Sequence, residues 1–474
     1  MRIRRVVSSL SVLALGGASV AAAVVALPRE PQFIETPLMS SSSSIPSAVC
    51  TGGFERTFEK GLDANRVDED ITSEALAMVS GSEAQLTHDT ETESLEREGD
   101  ISFLRREGSL EGTLQPQNVP ADSTHLAGAS IHVADEGDTR GSATNPCTVR
   151  SVDQWIVGSA SAVGTTNQLV LSNPGHTPVT VRIEAFGSAG PLDMGSAGTV
   201  VVAATSTQRV DLDGLIPADP RIALHITTDS GAVAASLQVN ELDGVKPQGV
   251  SFVTGASAGT DLVIPAVSIP EGEEAIPSVR LVNTDTERAL ISVELVGADG
   301  TEPLPGGSEV AVAPGAVLDL SLTGVEPGSY ALRIHSYQQF TAGVLLVSET
   351  SDSGARDMAW ASAEPAVSSG TAMFGESAAD LVVSNQNEEA ADAEVTPING
   401  DGTAADPTTL EIESASSATL ELPEDSVGVL VDASQPVSAA VLARPSLSDG
   451  DGIDWVPLFA PALDEGARRV AVAD

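Results

Sequence analysis

Lysine is almost missing from this chain: Lys60 and Lys246 are the only two in 474 residues. Lysine and arginine together number 23 against 67 aspartates and glutamates, a formal net charge of −44. A surface of that sign repels phosphate backbones, which argues against nucleic acid as a partner. Aromatics are also scarce, with nine Phe, three Trp and two Tyr. Sugar-binding sandwiches stack their ligands on aromatic platforms, so glycan recognition would have to come from polar loops. The histidines number six, His88, His125, His132, His176, His225 and His335, and no two lie at a short metal-ligand spacing. No structural zinc site and no cofactor are expected from them. With 41% apolar residues and a mean hydropathy of +0.08, the chain still has enough apolar surface for several folded cores.

Cysteine is nearly absent as well, and the two present, Cys50 and Cys147, have a compartment to match. Arg2, Arg4 and Arg5 precede an apolar run, Val6 to Leu27, which ends at Pro28-Arg29-Glu30. Positive charge before such a run reads as an export signal, and its length also suffices for a single-pass membrane anchor. Cleavage and retention are both open, and either places the bulk of the chain outside the cytoplasm. There a minimal even count of cysteines favours one disulfide, Cys50 to Cys147. A lipid-anchored Cys50 is the rival, but that chemistry needs the cysteine directly after the apolar segment. Residues 28–49, with four prolines and the run Ser40–Ser44, read as a tether.

Organisation comes from a repeat. Gln168–Leu192 (QLVLSNPGHTPVTVRIEAFGSAGPL) recurs at Arg280–Leu304 and at Asp380–Ala404. Each copy has an apolar run ending in Asn, a polar turn, an alternating run and a Gly-containing turn. A second half follows each copy, at Val200–Val239, Val310–Val347 and Leu410–Leu442, built of short β-branched runs bounded by Gly, Pro, Asp or Ser. The strand count per unit is that of an antiparallel sandwich, and the alternation of Val179, Val181 and Ile183 with Thr180, Arg182 and Glu184 puts one face in a core. Trp155, Phe252, Trp360 and Trp455 precede successive units and read as core anchors. The expected fold is therefore all-β: tandem Ig-like antiparallel β-sandwiches behind an N-terminal signal or anchor helix. A β-propeller with two blades per unit is the alternative.

The expected boundaries are a signal or anchor at 1–27, the tether at 28–49 and an acidic β-rich domain at 50–150 closed by the disulfide. Repeats follow at 151–250, 251–350 and 351–450. A partial fourth at 451–474 covers the last sandwich's edge, its final strand being Arg468–Ala473. Within the first domain Ile101–Leu104, Ser109–Leu114 and Ala129–Val133 read as strands, and Ile71–Val79 reads as a helix by propensity and spacing.

No catalytic constellation stands out. Glu91, Glu93, Glu96, Glu98 and Asp100 crowd one segment, and a solvated acidic face accounts for them. Gly255-Ala256-Ser257-Ala258-Gly259 matches the G-x-S-x-G elbow, but that motif needs a helix after it, and Asp261–Ile264 reads as strand. His225 and His335 sit in matching runs, RIALHITT and YALRIHS, and read as equivalent strand positions. Asp449–Gly452 and Asn399–Gly402 resemble calcium loops without the ligand spacing of an EF-hand, and turn chemistry accounts for both.

Cys50-Thr51-Gly52, then Cys147, Trp155-Ile156-Val157-Gly158 and Leu169-Val170-Leu171-Ser172-Asn173-Pro174 follow one another in an order that resembles a family of actinobacterial exported proteins of unknown function. The family's usual Pro stands as Thr51 here, and one aromatic, Trp155, replaces an adjacent pair. The resemblance implies an envelope location and Ig-like repeats, and supplies no activity. The expectation is a non-enzymatic extracytoplasmic scaffold for an envelope protein or glycan, held to the membrane by its N-terminal segment or released. The alternative is an enzyme or accessory subunit in envelope polysaccharide or peptidoglycan processing, with its acid chemistry in residues 50–147.

Overall fold

Each turn after the Asn-ending strand is built by that Asn. In a computed structural model of the chain, Asn173, Asn283 and Asn385 are fully buried. The Asn283 amide donates to Glu287 O (2.7 Å) and Val312 O (3.0 Å), while its Oδ1 accepts from Asp285 N (2.9 Å). Asn173 and Asn385 repeat this with Thr177 and Val202, and with Glu389 and Ile412. An Asx turn thus reverses the chain and ties the turn to a neighbouring strand, which explains a polar residue at the end of an apolar run.

The structure describes residues 46–55, 71–89, 91–117, 125–271 and 276–460. The signal or anchor segment, nearly all of the tether and Arg468–Ala473 lie outside them. Among the described residues the chain is strand and turn, with one 3-10 turn at Gly195–Gly198, and no helix is long and apolar enough to cross a membrane.

The all-β expectation holds, and the sandwich and propeller readings describe different levels of it. In the third unit the long strand Gly328–Val347 serves two sheets. Its first half pairs with Ala258–Ile269 and Ala289–Gly297, its second with Ser278–Asn283 and Met358–Ser362. Ser426–Arg444 does the same in the fourth unit, with Val367–Met373 and Ala391–Asn399, then with Ala378–Asn385 and Asp454–Pro457. In the second unit two strands, Ala223–Thr228 and Ala234–Asp243, share that task. Both sheets of each of these units face one core.

The units are then arranged in the manner of a propeller. Four inner strands, Gly141–Pro146, Lys246–Val253, Met358–Ser362 and Asp454–Pro457, lie beside one another in a closed circuit. The first belongs to the segment read as a separate acidic domain, which is one quarter of the ring. Units therefore end with these strands, near 146, 253, 362 and 457, rather than beginning with them. Ile71–Ser80 is a strand between Ile101–Glu107 and Leu126–Ala134, not a helix. Its alternate residues enter two cores, Ala75, Ala77 and Val79 one and Leu76 and Met78 the other. Burial on both faces makes its apolar run continuous, and such a run mimics a helix in sequence.

Neighbouring units interlock through the inner strands. Trp360, from the third unit, sits in the core of the second, and Trp455, from the fourth, sits in that of the third. The Trp455 indole donates to Pro265 O (2.9 Å). Phe252 packs on Ala143 and edge-on against Phe54 of the first unit. The buried Arg280 guanidinium lies 4.8 Å over Trp360, chelates Asp319 (2.8 and 2.9 Å) and donates to Ile222 O (3.1 Å) and Ser159 O. Between first and fourth units Leu76, Met78 and Phe103 pack with Met373, Ile398 and Val427. Cys50 and Cys147 form the expected disulfide, buried, with a sequence separation of 97.

At the start of the inner strands the four quarters meet on one carboxylate. Fully buried Asp357 accepts from Ser142 N (2.8 Å), Val250 N (3.2 Å) and Ile453 N (3.0 Å), and from its neighbour Met358 N. The corresponding residues of the other units are Gly141, Gly249 and Gly452. A Cβ at Gly141 would overlap Asp357 Oδ1, and one at Gly249 would overlap the Asp357–Met358 backbone. Burial pushes the Asp357 carboxyl up to about 7 against the pull of the four amides, and burial pushes the adjacent Asp454 up to about 6.

Two outcomes follow. Replacing Asn283 by Ala strips a buried turn of three hydrogen bonds, and urea denaturation should show a loss of about 2–3 kcal/mol. A carboxyl whose folded pKa is raised holds its proton longer in the native state. Stability should therefore fall as pH rises from about 4 to about 7, by up to about 1.4 kcal/mol per unit from Asp357. Thermal denaturation across this range should give a shallower slope for Asp357→Asn than for the native chain; equal slopes would place the carboxyl in its ordinary range.

Candidate functional site

The inner strands all run the same way, so the ends opposite Asp357 gather too. There they line a cleft of about 720 Å³ on the ring axis. Four residues beyond Trp360 in the chain is Glu364, and the same step from Phe252 and Trp455 reaches Ala256 and Phe459. In the first unit Thr144 holds the place of these aromatics, and Thr148 that of Glu364. All four of Thr148, Ala256, Glu364 and Phe459 line the cleft.

Trp155 lines this cleft and is also buried in a small core with Val157, Ala223, Ala256, Val282 and Val317, outside the register of the other three aromatics. It lies on Asp153–Val157, its indole stacked on the His225 ring at 4.3 Å between centroids and tilted against Phe186 at 5.1 Å. Asp153 Oδ1 sits 2.8 Å from His225 Nε2, and Glu184 Oε2 sits 3.6 Å from Nδ1. Phe252, Trp360 and Trp455 are the anchors of the ring, and the residue they share their register with is Thr144. The mark common to all four is a Gly or Asp three residues earlier, at 141, 249, 357 and 452, and it is legible only once the aromatic is no longer demanded at every copy.

The titratable side chains lining the cleft are Asp153, His225 and Glu364. Glu364 is partly buried, and no described residue gives its carboxyl a hydrogen bond or an ion pair. Burial alone pushes it up to about 8. Around it the lining includes Pro146, Val149, Pro365, Val367, Leu458 and Phe459. Such a site accepts a hydrogen-bond donor or a cation attached to an apolar body. Nothing in the sequence around MAWASAEP marks Glu364 as special. Apart from Pro365 and Val367, its environment is made by segments that arrive from elsewhere in the chain.

The remaining sequence candidates fall elsewhere. Ser257 lines the cleft but stands between the strands Gly255–Ala256 and Ala258–Ile269, with no helix after it. Its backbone is spent on Ala363 O (2.8 Å) and Thr341 Oγ1 (2.7 Å). Strand register separates the two histidines read as equivalent. His225 faces Glu184, whose counterpart Glu294 faces Arg333, while His335 faces Ser292 and pairs with Asp261 (2.8 Å). The two strands differ by two residues, one full pleat, so the sequences still look aligned. His125 reaches Asp432 across units (3.1 Å), His132 stacks on Phe54, and His88 and His176 line a small cavity. Among the described residues no cluster of metal-ligating side chains occurs. Glu91, Glu93, Glu96 and Glu98 are exposed on the short strands Glu91–Ser94 and Glu96–Glu98 at sheet edges, where charge discourages pairing with other chains. Asp401 accepts from Thr403 N and Oγ1 within its own turn, and Asp449 accepts from Ser353 N of a distant segment, so both carboxylates are hydrogen-bonded.

A lone carboxyl with a raised pKa lowers stability once ionised. Glu364→Gln should therefore raise the thermal midpoint by an amount that grows from about pH 4.5 to about pH 8 and is level beyond, with no gain near pH 4, as calorimetry would show. An equal midpoint at high pH would mean that the carboxyl is solvated.

No curated protein matches the chain. Among solved structures one match is a "Biofilm associated protein - BSP domain", which covers 90% of this chain and 99% of its own at 7% identity and a TM-score of 0.15, too low to carry an argument. The model of a family of unknown function, DUF5719, matches residues 114–423, most of the ring, and the chain belongs to that family.

Proposed function

We propose that the protein is a non-enzymatic, extracytoplasmic envelope scaffold that presents variable loops on a rigid ring. The observation that carries this reading is the contrast between frame and turns. The Asn staples and inner-strand aromatics recur in three of the four units, while the turns the staples support differ in sequence, and His176–Pro178, Thr286–Arg288 and Glu388–Ala390 are exposed. Specificity in sandwich domains resides in such loops. The buried disulfide supports an oxidising compartment, and the apolar N-terminal run supports export with or without a retained anchor. The partner would be an envelope protein or a glycan read by polar loops rather than by aromatic stacking. Against the enzyme reading, the carboxylates that would supply its acid chemistry stand exposed on edge strands instead of facing one another in a cavity.

Two measurements test this. In intact cells a membrane-impermeant maleimide should label Cys50 and Cys147 only after reduction and denaturation; labelling without reductant would remove the oxidising-compartment argument. Crosslinking from intact cells should recover an envelope component with the native chain and lose it when residues 174–178, 284–288 and 386–390 are replaced by Gly-Ser turns. Equal recovery from both would sink loop presentation.

A further inference from the structure

We infer that the axial cleft is a binding site for a small apolar molecule carrying an ammonium group, with Glu364 as its counter-ion. The inference is independent of the scaffold reading, since it concerns the axis and not the outer turns.

The fold itself does not ask for a carboxyl at this position. The three residues at the same step beyond the other inner strands are Thr148, Ala256 and Phe459, all uncharged, and the ring closes around them equally well. Glu364 has no hydrogen-bond or ion-pair partner among the described residues, and burial raises its pKa. A carboxylate in a cleft with apolar walls is poorly solvated, and a ligand cation is a partner that favours its ionised form. The sign of the surroundings agrees. Of the other two titratable groups in the lining, His225 is flanked by Asp153 and Glu184, so the wall holds no unbalanced positive charge. The net charge of −44 also raises the local concentration of cations over anions. Size and texture set the rest of the ligand. About 720 Å³ suits a small molecule, and Trp155, Pro365, Val367, Leu458 and Phe459 offer its apolar body surfaces to lie on. Burial favours the protonated form of Glu364 in the empty cleft, so uptake of an ammonium ion should favour release of that proton to solvent.

The test is calorimetric titration of the full-length exported chain near neutral pH with three probes of one shape: naphthylethylamine, naphthaleneethanol and naphthylacetate. The amine should bind at least about tenfold more tightly than the alcohol, the difference one charged contact supplies, and the acetate more weakly than either. Amine binding should release a proton, read from its heat in buffers of different ionisation enthalpy, and alcohol binding should not. Glu364→Gln, which keeps the shape of the side chain, should abolish both the tenfold preference and the proton release while retaining the native circular dichroism spectrum. Ala258→Trp, a bulky change at an exposed position on the rim, should weaken amine and alcohol alike. Equal affinities for amine and alcohol, an unchanged amine affinity in Glu364→Gln, tighter binding of the acetate, or no binding of any probe would each overturn the assignment.

Discussion

Four chain segments, each from a different quarter of the molecule, bring a backbone N–H to the carboxylate of Asp357. A carboxylate stripped of water has to be hydrogen-bonded, and here the donors are fixed parts of inner strands. Satisfying it therefore sets where each strand starts and how closely the strands approach. It also explains Gly141 and Gly249, since a side chain there would occupy the space of the Asp357 residue. With the starts gathered at one point and all strands running one way, their other ends must surround a common space. The cleft that holds Glu364 and Trp155 is the geometric consequence.

The same closure explains why the units are not beads on a string. An aromatic from one unit completes the core of the unit before it, as Trp360 and Trp455 do, so a single sandwich cut from the ring would expose an unfilled core. The first unit offers only Thr144 at that place, and its contact with the fourth is made instead by a separate cluster around Leu76, Met78, Ile398 and Val427. It is also the unit that carries the disulfide, which restricts the unfolded chain where the interlocking aromatic is missing. A net charge of −44 works against any compact state, and the ring opposes that repulsion with contacts that form together or not at all.

Much of this was readable residue by residue. The Asn at the end of each apolar run, the alternation of Val179, Val181 and Ile183 and the turn residues between strands are local signals, and local hydrogen bonding is what they specify. The errors share a cause. Ile71–Ser80 looks helical because both its faces are buried by segments far away in the chain. His225 and His335 look equivalent because strands shift by pairs without changing which face is apolar. Trp155 looks like the same register mark as Phe252, Trp360 and Trp455 because its spacing is close to theirs, but it is buried in a different core. Glu364 is invisible because most of its environment comes from segments distant in the chain.

By itself, then, the amino-acid order determined the all-β class, the repeat and its turns, the pairing of the two cysteines and the acidic character of the surface. Each of these follows from side-chain chemistry acting over a few residues or, for the cysteines, from a minimal even count that favours one pairing. Only the tertiary structure decided that the acidic first segment is a quarter of the ring, that the units close on Asp357, and that Glu364 faces a cleft without a partner. Those features depend on the register and the meeting of segments about a hundred residues apart, and one-dimensional periodicity carries no information on either.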